Sequence, residues 1–88
     1  MSPTPAPKPP LSPMLEEFGK RVRARRKALG LSQEQAAVRC HMHWTNLARV
    51  ERAQQSIRIE TALKLARGLD TTPGALLDGL PIDDGENG

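Results

Sequence analysis

The 88-residue sequence predicts an all-α fold of five short helices. Three observations lead to this fold class. Apolar residues recur at helical spacing, capping and glycine residues mark where these segments start and stop, and no segment alternates polar and apolar residues as a strand does. We expect residues 1–11 to be a disordered proline-rich arm, residues 12–80 a single domain and residues 81–88 a flexible acidic tail.

The first helix is predicted to begin at Ser12 and to end before Gly30. Ser12 can cap it, and Pro13 suits the first helical position, where an N–H would have no partner. The apolar residues lie at spacings of three, four and seven and form one inward face: Leu15, Phe18, Val22 and Leu29. The basic residues around them are expected to be mostly solvated: Lys20, Arg21, Arg23 and Lys27.

Four more helices are predicted after the first. The second opens with a capping box between Ser32 and Gln35. Its small apolar contacts are Ala36, Ala37, Val38 and Cys40. The third covers residues 44–52, the fourth covers 59–67 with Ile59, Leu63 and Ala66 inward, and the fifth runs from Thr72-Pro73 to Asp78-Gly79.

The charges are unevenly distributed along the chain. Residues 1–52 contain ten basic and four acidic side chains, whereas residues 53–88 contain three basic and six acidic ones. The amino-terminal part can therefore attract a polyanion. One Trp, one Phe and no Tyr argue against a module that stacks single-stranded bases. A lone cysteine and the lack of a long apolar run indicate a cytoplasmic protein without membrane contact.

The third predicted helix presents two different faces. At about 100° per residue, Leu47, Val50 and Glu51 point inward. The opposite face contains Thr45, Ala48, Arg49 and Arg52. This outward face suits the major groove of DNA, where the guanidinium of Arg49 can bind guanine O6 and N7.

Three residues are candidates for reading bases, and four for binding phosphates. Trp44, Thr45 and Arg49 form the first set, although Trp44 could instead cover the edge of the second helix. Gln33, at the start of the second helix, can bind a phosphate or simply begin that helix. The other phosphate candidates are Asn46, Arg52 and Arg58. Arg49 and Arg52 could also be ordinary solvated residues.

Three segments resemble the lambda-repressor and Cro-like helix-turn-helix family, also called the XRE family. They are Leu-Ser-Gln-Glu-Gln-Ala-Ala at 31–37, Asn-Leu-Ala-Arg-Val-Glu-Arg at 46–52 and Glu-Thr-Ala-Leu-Lys-Leu-Ala at 60–66. The resemblance implies a five-helix lambda-repressor-like domain, a phosphate contact at Gln33 and a structural ion pair between Arg26 and Glu51. His41, Ala53 and Ile57 depart from the family pattern, and His41 is expected to need a positive φ.

The sequence thus predicts a transcription regulator that binds double-stranded DNA sequence-specifically. The alternative is an antitoxin-type or other protein-partner module with a DNA-binding helix-turn-helix. A homodimer on a near-palindromic operator is expected, because one recognition helix reads few base pairs. The expected interface is the region of the fifth helix: Leu76, Leu77, Leu80 and Ile82.

No catalytic constellation, cofactor site or metal site is predicted. Cys40, His41 and His43 are too close together at a turn to surround one tetrahedral ion. We expect Cys40 to be a buried thiol that acts as a small hydrophobic residue.

Overall fold

A computed structural model describes residues 8–82 and shows the predicted all-α fold. Five α-helices and no strand lie within these residues. The helices are α1 Pro13–Ala28, α2 Gln33–Arg39, α3 Trp44–Glu51, α4 Ile59–Gly68 and α5 Pro73–Leu77. Residues 8–11 of the predicted arm and 81–82 of the predicted tail are included, and the remainder of both segments lies outside the described residues.

Side-chain caps mark the start of every helix except α4. Ser12 Oγ accepts a hydrogen bond from the N–H of Leu15 at the start of α1. The predicted capping box of α2 is present, since Ser32 Oγ accepts from the N–H of Gln35 and the Gln35 side chain accepts from the N–H of Ser32. His43 caps α3 through Nδ1, which accepts from the N–H of Thr45 at 3.2 Å. That cap was not predicted.

In four helices the residue after the C-cap has left-handed backbone. Besides Gly30, these residues are His41 with φ of 55°, Ala53 with 58° and Asp70 with 53°. The positive φ expected for His41 is confirmed. After each of them, the next N–H bonds to the carbonyl five residues earlier, for example Met42 to Ala37 and Gln54 to Arg49. These bonds offset a backbone strain on the order of 1–2 kcal/mol per non-glycine residue.

The core is built from residues of all five helices. Its fully buried large side chains include Phe18, Val22, Leu47, Val50, Leu65, Leu69 and Leu76. The predicted inward face of α4 is wrong at Ile59 and Leu63, which are 80% and 50% exposed. Ala66 is buried as predicted, and α4 also buries Ala62 and Leu65. Val38 on α2 was also expected to be inward and is 76% exposed.

Two arginines of α1 bind the carboxyl ends of later helices. Arg21 Nη1 donates to the carbonyl oxygens of Leu76 and Asp78, at 3.3 and 2.6 Å. Arg25 donates to those of Leu69 and Asp70, both at 2.8 Å. Cations are favourable at these positions because unpaired carbonyls collect at a helix carboxyl end. The expectation that Arg21 is mostly solvated is therefore wrong.

Cys40 is fully buried, as predicted, and its Sγ lies 4.0 Å from the carbonyl oxygen of Leu65. Burial raises the pKa of the Cys40 thiol. His41 and His43 are exposed, so the three side chains do not converge. No group of three metal-binding side chains occurs within residues 8–82. None of the helices in this part of the chain is long and apolar enough to cross a membrane.

Gly19 brings the backbones of α1 and α3 into close approach. A Cβ at position 19 would lie 2.5 Å from the carbonyl oxygen of Val50 and 2.8 Å from that of Glu51. We expect Gly19→Ala to lower the free energy of unfolding by about 1–3 kcal/mol, because the backbone of α3 must move. Denaturant titration measures this effect.

Gly30→Ala is the matched control for Gly19→Ala. Gly30 has φ of +72° with open space around its Cα, so that substitution adds backbone strain without a collision. If Gly19→Ala were as stable as the parent protein, α1 and α3 would not be in this contact.

Candidate nucleic-acid interface

Helices α2 and α3 form a helix-turn-helix around the turn at residues 40–43. The turn is closed by the hydrogen bond from the N–H of Met42 to the carbonyl of Ala37, at 3.0 Å. Ala36 and Ala37 are both buried, and their small side chains allow α3 to pack closely on α2. Because α3 also packs on α1, its orientation is fixed from two sides.

A buried ion pair fixes the carboxyl end of α3. Arg26 donates to Glu51 through Nε at 2.6 Å and through Nη2 at 2.9 Å. Arg26 Nη1 also donates to the carbonyl of Leu31, and Gln33 Nε2 donates to Glu51 Oε1 at 3.1 Å. The hydrogen bond from Arg26 to Glu51 raises the pKa of the guanidinium. These contacts join α1, α2 and α3, so the pair is structural.

The face of α3 opposite the core presents polar and cationic side chains. Asn46, Arg49 and Arg52 are exposed, and Thr45 is half-buried. Ala48 was expected on this face but is only 6% exposed, because neighbouring helices cover both flanks of α3. The exposed surface of α3 is therefore narrower than the sequence predicted.

The start of α3 is an organised cluster of His43, Trp44 and Thr45. Thr45 Oγ1 lies 2.7 Å from His43 Nδ1, and this nitrogen accepts from the N–H of Thr45. The Thr45 hydroxyl then donates to His43 and keeps its oxygen free to accept. Trp44 stacks on His43 with ring centroids 6.2 Å apart and stays 48% exposed. About half of the indole is thus available to a ligand.

Two surface clefts border the exposed face of α3. One, of about 510 Å³, lies between the turn and the start of α4 and brings Asn46 and Arg58 together beside Glu60. The other, of about 880 Å³, lies at the carboxyl end of α3 and includes Arg49 and Arg52. Within residues 8–82, the guanidinium groups of Arg49, Arg52 and Arg58 form no hydrogen bond or ion pair. They are available to an anionic ligand.

The residues expected at a dimer interface separate into two groups. Leu76 is 1% exposed and belongs to the core of a single chain, so its prediction as an interface residue is wrong. Leu77 and Ile82 are 41% and 77% exposed, and Leu80 is half-buried against the core. The sequence pattern missed a second exposed apolar pair, Ile59 and Leu63 on α4, because it predicted them to be inward.

Comparison with known proteins identifies the family of this chain. The helix-turn-helix domain family matches residues 17–80. Control protein C.BamHI from Bacillus amyloliquefaciens is 32% identical over 62 residues, which cover 69% of this chain and 76% of that protein.

Solved structures give the same result. The restriction-modification controller protein C.AhdI from Aeromonas hydrophila is 40% identical, with a TM-score of 0.69, over 70% of this chain and 94% of that one. A hypothetical transcription factor from Neisseria, NHTF, is 29% identical, with a TM-score of 0.71, over 83% and 84% of the two chains. The chain therefore belongs to the XRE-like helix-turn-helix family of DNA-binding transcription regulators, and it is a regulator of this kind rather than an enzyme.

Proposed function

We propose that this chain binds a near-palindromic operator as a homodimer, with α3 of each protomer in the major groove of one half-site. One observation carries the proposal. Helix α3 is fixed by the core and by the Arg26–Glu51 pair, while its opposite face presents unpaired guanidinium, amide and indole groups between two clefts. A rigid helix with free donors on its exposed face is what direct readout of base edges requires.

The proposed base-reading residues are Trp44, Thr45 and Arg49. Arg49 supplies a two-pronged donor for guanine, and the Thr45 oxygen can accept from an adenine or cytosine amino group. The exposed part of Trp44 supplies apolar surface for a thymine methyl group or a sugar. These three residues follow the exposed edge of α3 from its start to its last turn.

The proposed phosphate contacts are placed on both sides of these residues. Gln33 uses one N–H of its side-chain amide for Glu51 and has a second for a phosphate. Asn46 and Arg58 share the cleft on one side of α3, whereas Arg52 lies in the cleft on the other side. Contacts of this kind orient a protein on the duplex without reading its sequence.

The relatives support a controller role within a restriction-modification system. C.AhdI is described as a restriction-modification controller and C.BamHI as a control protein, and they are 40% and 32% identical to this chain. The proposal therefore favours a regulator over the antitoxin-type alternative, and it implies a cytoplasmic protein. Operators upstream of a restriction or modification gene are the expected targets.

The proposed dimer contact is the exposed apolar surface after α4, formed by Leu77, Leu80 and Ile82. We expect sedimentation equilibrium at tens of micromolar to give the mass of a dimer. Leu77→Glu should give a monomer, because a charge would be buried without a partner. Val38→Glu, on the exposed side of α2, is the matched control and should remain dimeric. A monomeric parent protein would contradict the proposal.

Selection of bound fragments from random duplex DNA at a fixed salt concentration tests the function itself. The expected product is a near-palindrome whose half-sites are about one helical turn, or a multiple of it, apart. Enrichment of a single unrepeated site would contradict the homodimer, and no enrichment at all would contradict sequence-specific binding.

A further inference from the structure

The segment before α1 is hydrogen-bonded to the chain that follows α3. The N–H of Leu11 donates to the carbonyl of Ala53 at 2.9 Å. The side-chain amide of Gln54 donates to the carbonyl of Pro9 at 2.8 Å and to that of Lys8 at 3.4 Å. Ala53 and Gln54 closely follow the carboxyl end of α3. The position of Lys8 is thus linked to that of the recognition helix.

This arrangement closes one side of the cleft of about 880 Å³ at the carboxyl end of α3. Five cationic residues line it: Lys8, Lys20, Arg23, Arg49 and Arg52. The acidic residues of the lining are Glu16 and Glu51, and Glu51 is already neutralised by Arg26. Among the described residues, none of the five cationic side chains forms a hydrogen bond or ion pair. The cleft is therefore strongly positive, because Glu16 is the one acidic residue of its lining that is not already paired with a cation.

We infer that this cleft binds the DNA backbone next to the half-site, with Lys8, Lys20 and Arg23 contacting phosphates beyond the base pairs that α3 reads. The inference rests on the proposed function. Arg49 and Arg52 belong both to the cleft and to the exposed face of α3, so a duplex on that face continues into the cleft. A polyanion also relieves the mutual repulsion of five neighbouring cations.

Gln54 is the positioning residue of this site. Its amide donates to the backbone carbonyls of Lys8 and Pro9, so we assign it no phosphate contact of its own. Without that amide, Lys8 would lose a hydrogen-bonded support and spend less time in the cleft. The effect of Lys8 on binding should therefore depend on Gln54.

The test uses the selected operator in two lengths, one trimmed to the two half-sites and one with several further base pairs on each side. On the long duplex, Lys8→Ala and Arg23→Ala should each weaken binding about three- to ten-fold and lower the slope of log K against log salt by about 0.9 for each phosphate that is no longer bound. On the trimmed duplex, both variants should bind like the parent protein. Lys27→Ala removes an exposed cation of α1 that does not line the cleft, and it should bind like the parent protein on both duplexes.

The role of Gln54 is tested by combining substitutions. Gln54→Ala should reproduce most of the affinity decrease caused by Lys8→Ala, and the double variant should bind little more weakly than either single one. Circular dichroism and thermal melting establish that each variant is folded.

The results of these experiments distinguish a failure of the cleft proposal from a failure of the proposed function. If the parent protein binds selectively while Lys8→Ala and Arg23→Ala behave like Lys27→Ala, the cleft does not bind DNA. Equal decreases in affinity on the long and trimmed duplexes would place these residues within the half-site and overturn the flanking contact. A parent protein without selective binding would overturn both proposals.

Discussion

Glu51→Ala is expected to lower the free energy of unfolding by about 3–5 kcal/mol, because it leaves the Arg26 guanidinium buried without its counter-charge. The side chains of Arg26 and Glu51 are only 11% and 3% exposed. Glu51 also accepts from Gln33, so the substitution breaks three hydrogen bonds that join α1, α2 and α3. The melting temperature should fall by more than about 12 °C.

Two controls define the cause of this destabilisation. Glu17→Ala breaks the ion pair between Glu17 and Arg21, whose side chains are 41% and 25% exposed, and it should change stability by less than about 1 kcal/mol. Replacing Arg26 and Glu51 together by Met and Leu should recover much of the stability that Glu51→Ala removes, since no buried charge remains unpaired. A Glu51→Ala variant that melts within a degree or two of the parent protein would show that the pair contributes little to the fold.

The features that were predictable from the sequence are those set by neighbouring residues. The cap hydrogen bonds of Ser12 and Ser32 join residues three positions apart, so both caps could be recognised in the sequence itself. The positive φ of His41, in contrast, was expected from the resemblance to a family in which a glycine usually makes this turn. The Arg26–Glu51 contact spans 25 positions and was expected only from the resemblance to a family.

The register of α4 was not predictable because its sequence contains two apolar stripes. Ile59 and Leu63 form one stripe and Ala62 and Leu65 form the other, while Ala66, correctly predicted to be inward, lies between them. Helical periodicity alone favours neither stripe. Tertiary packing selects the second, because small side chains allow close contact: a Cβ at Gly68 would lie 2.5 Å from Cys40 Sγ.

The cleft at the end of α3 was also beyond sequence reasoning. Its lining comes from three separate regions, namely the segment before α1, α1 itself and the residues around the end of α3. Hydrogen bonds from Gln54 to the backbone of residues 8–9 span 45 or 46 positions and leave no pattern in the sequence. In the sequence, Lys20 and Arg23 have the pattern of ordinary solvated cations on an amphipathic helix. Their place in a cleft becomes visible only when the segment before α1 is located next to them.

Arg49→Ala and Arg52→Ala are expected to weaken DNA binding in different ways. Both arginines line the cleft at the carboxyl end of α3; Arg49, in the last turn, is the proposed base contact, and Arg52, the C-cap residue, is a proposed phosphate contact. Arg49→Ala should cost about 1–3 kcal/mol on the selected operator and little on a scrambled duplex, with discrimination relaxed at one base pair of each half-site. Arg52→Ala should weaken binding to both duplexes similarly and lower the salt slope by about 0.9 per phosphate, or twice that for a homodimer.

Titrations of both variants against the selected and scrambled duplexes, at several salt concentrations, measure this difference. Lys27→Ala is the control for the removal of one positive charge, because Lys27 is exposed on α1 and lines neither cleft. Equal decreases in the affinity of Arg49→Ala for both duplexes would make Arg49 a phosphate contact and would leave base reading to Trp44 and Thr45. If neither arginine variant bound more weakly than Lys27→Ala, α3 would not enter the groove, because its two unpaired guanidinium groups could not both lie against DNA without contributing to binding.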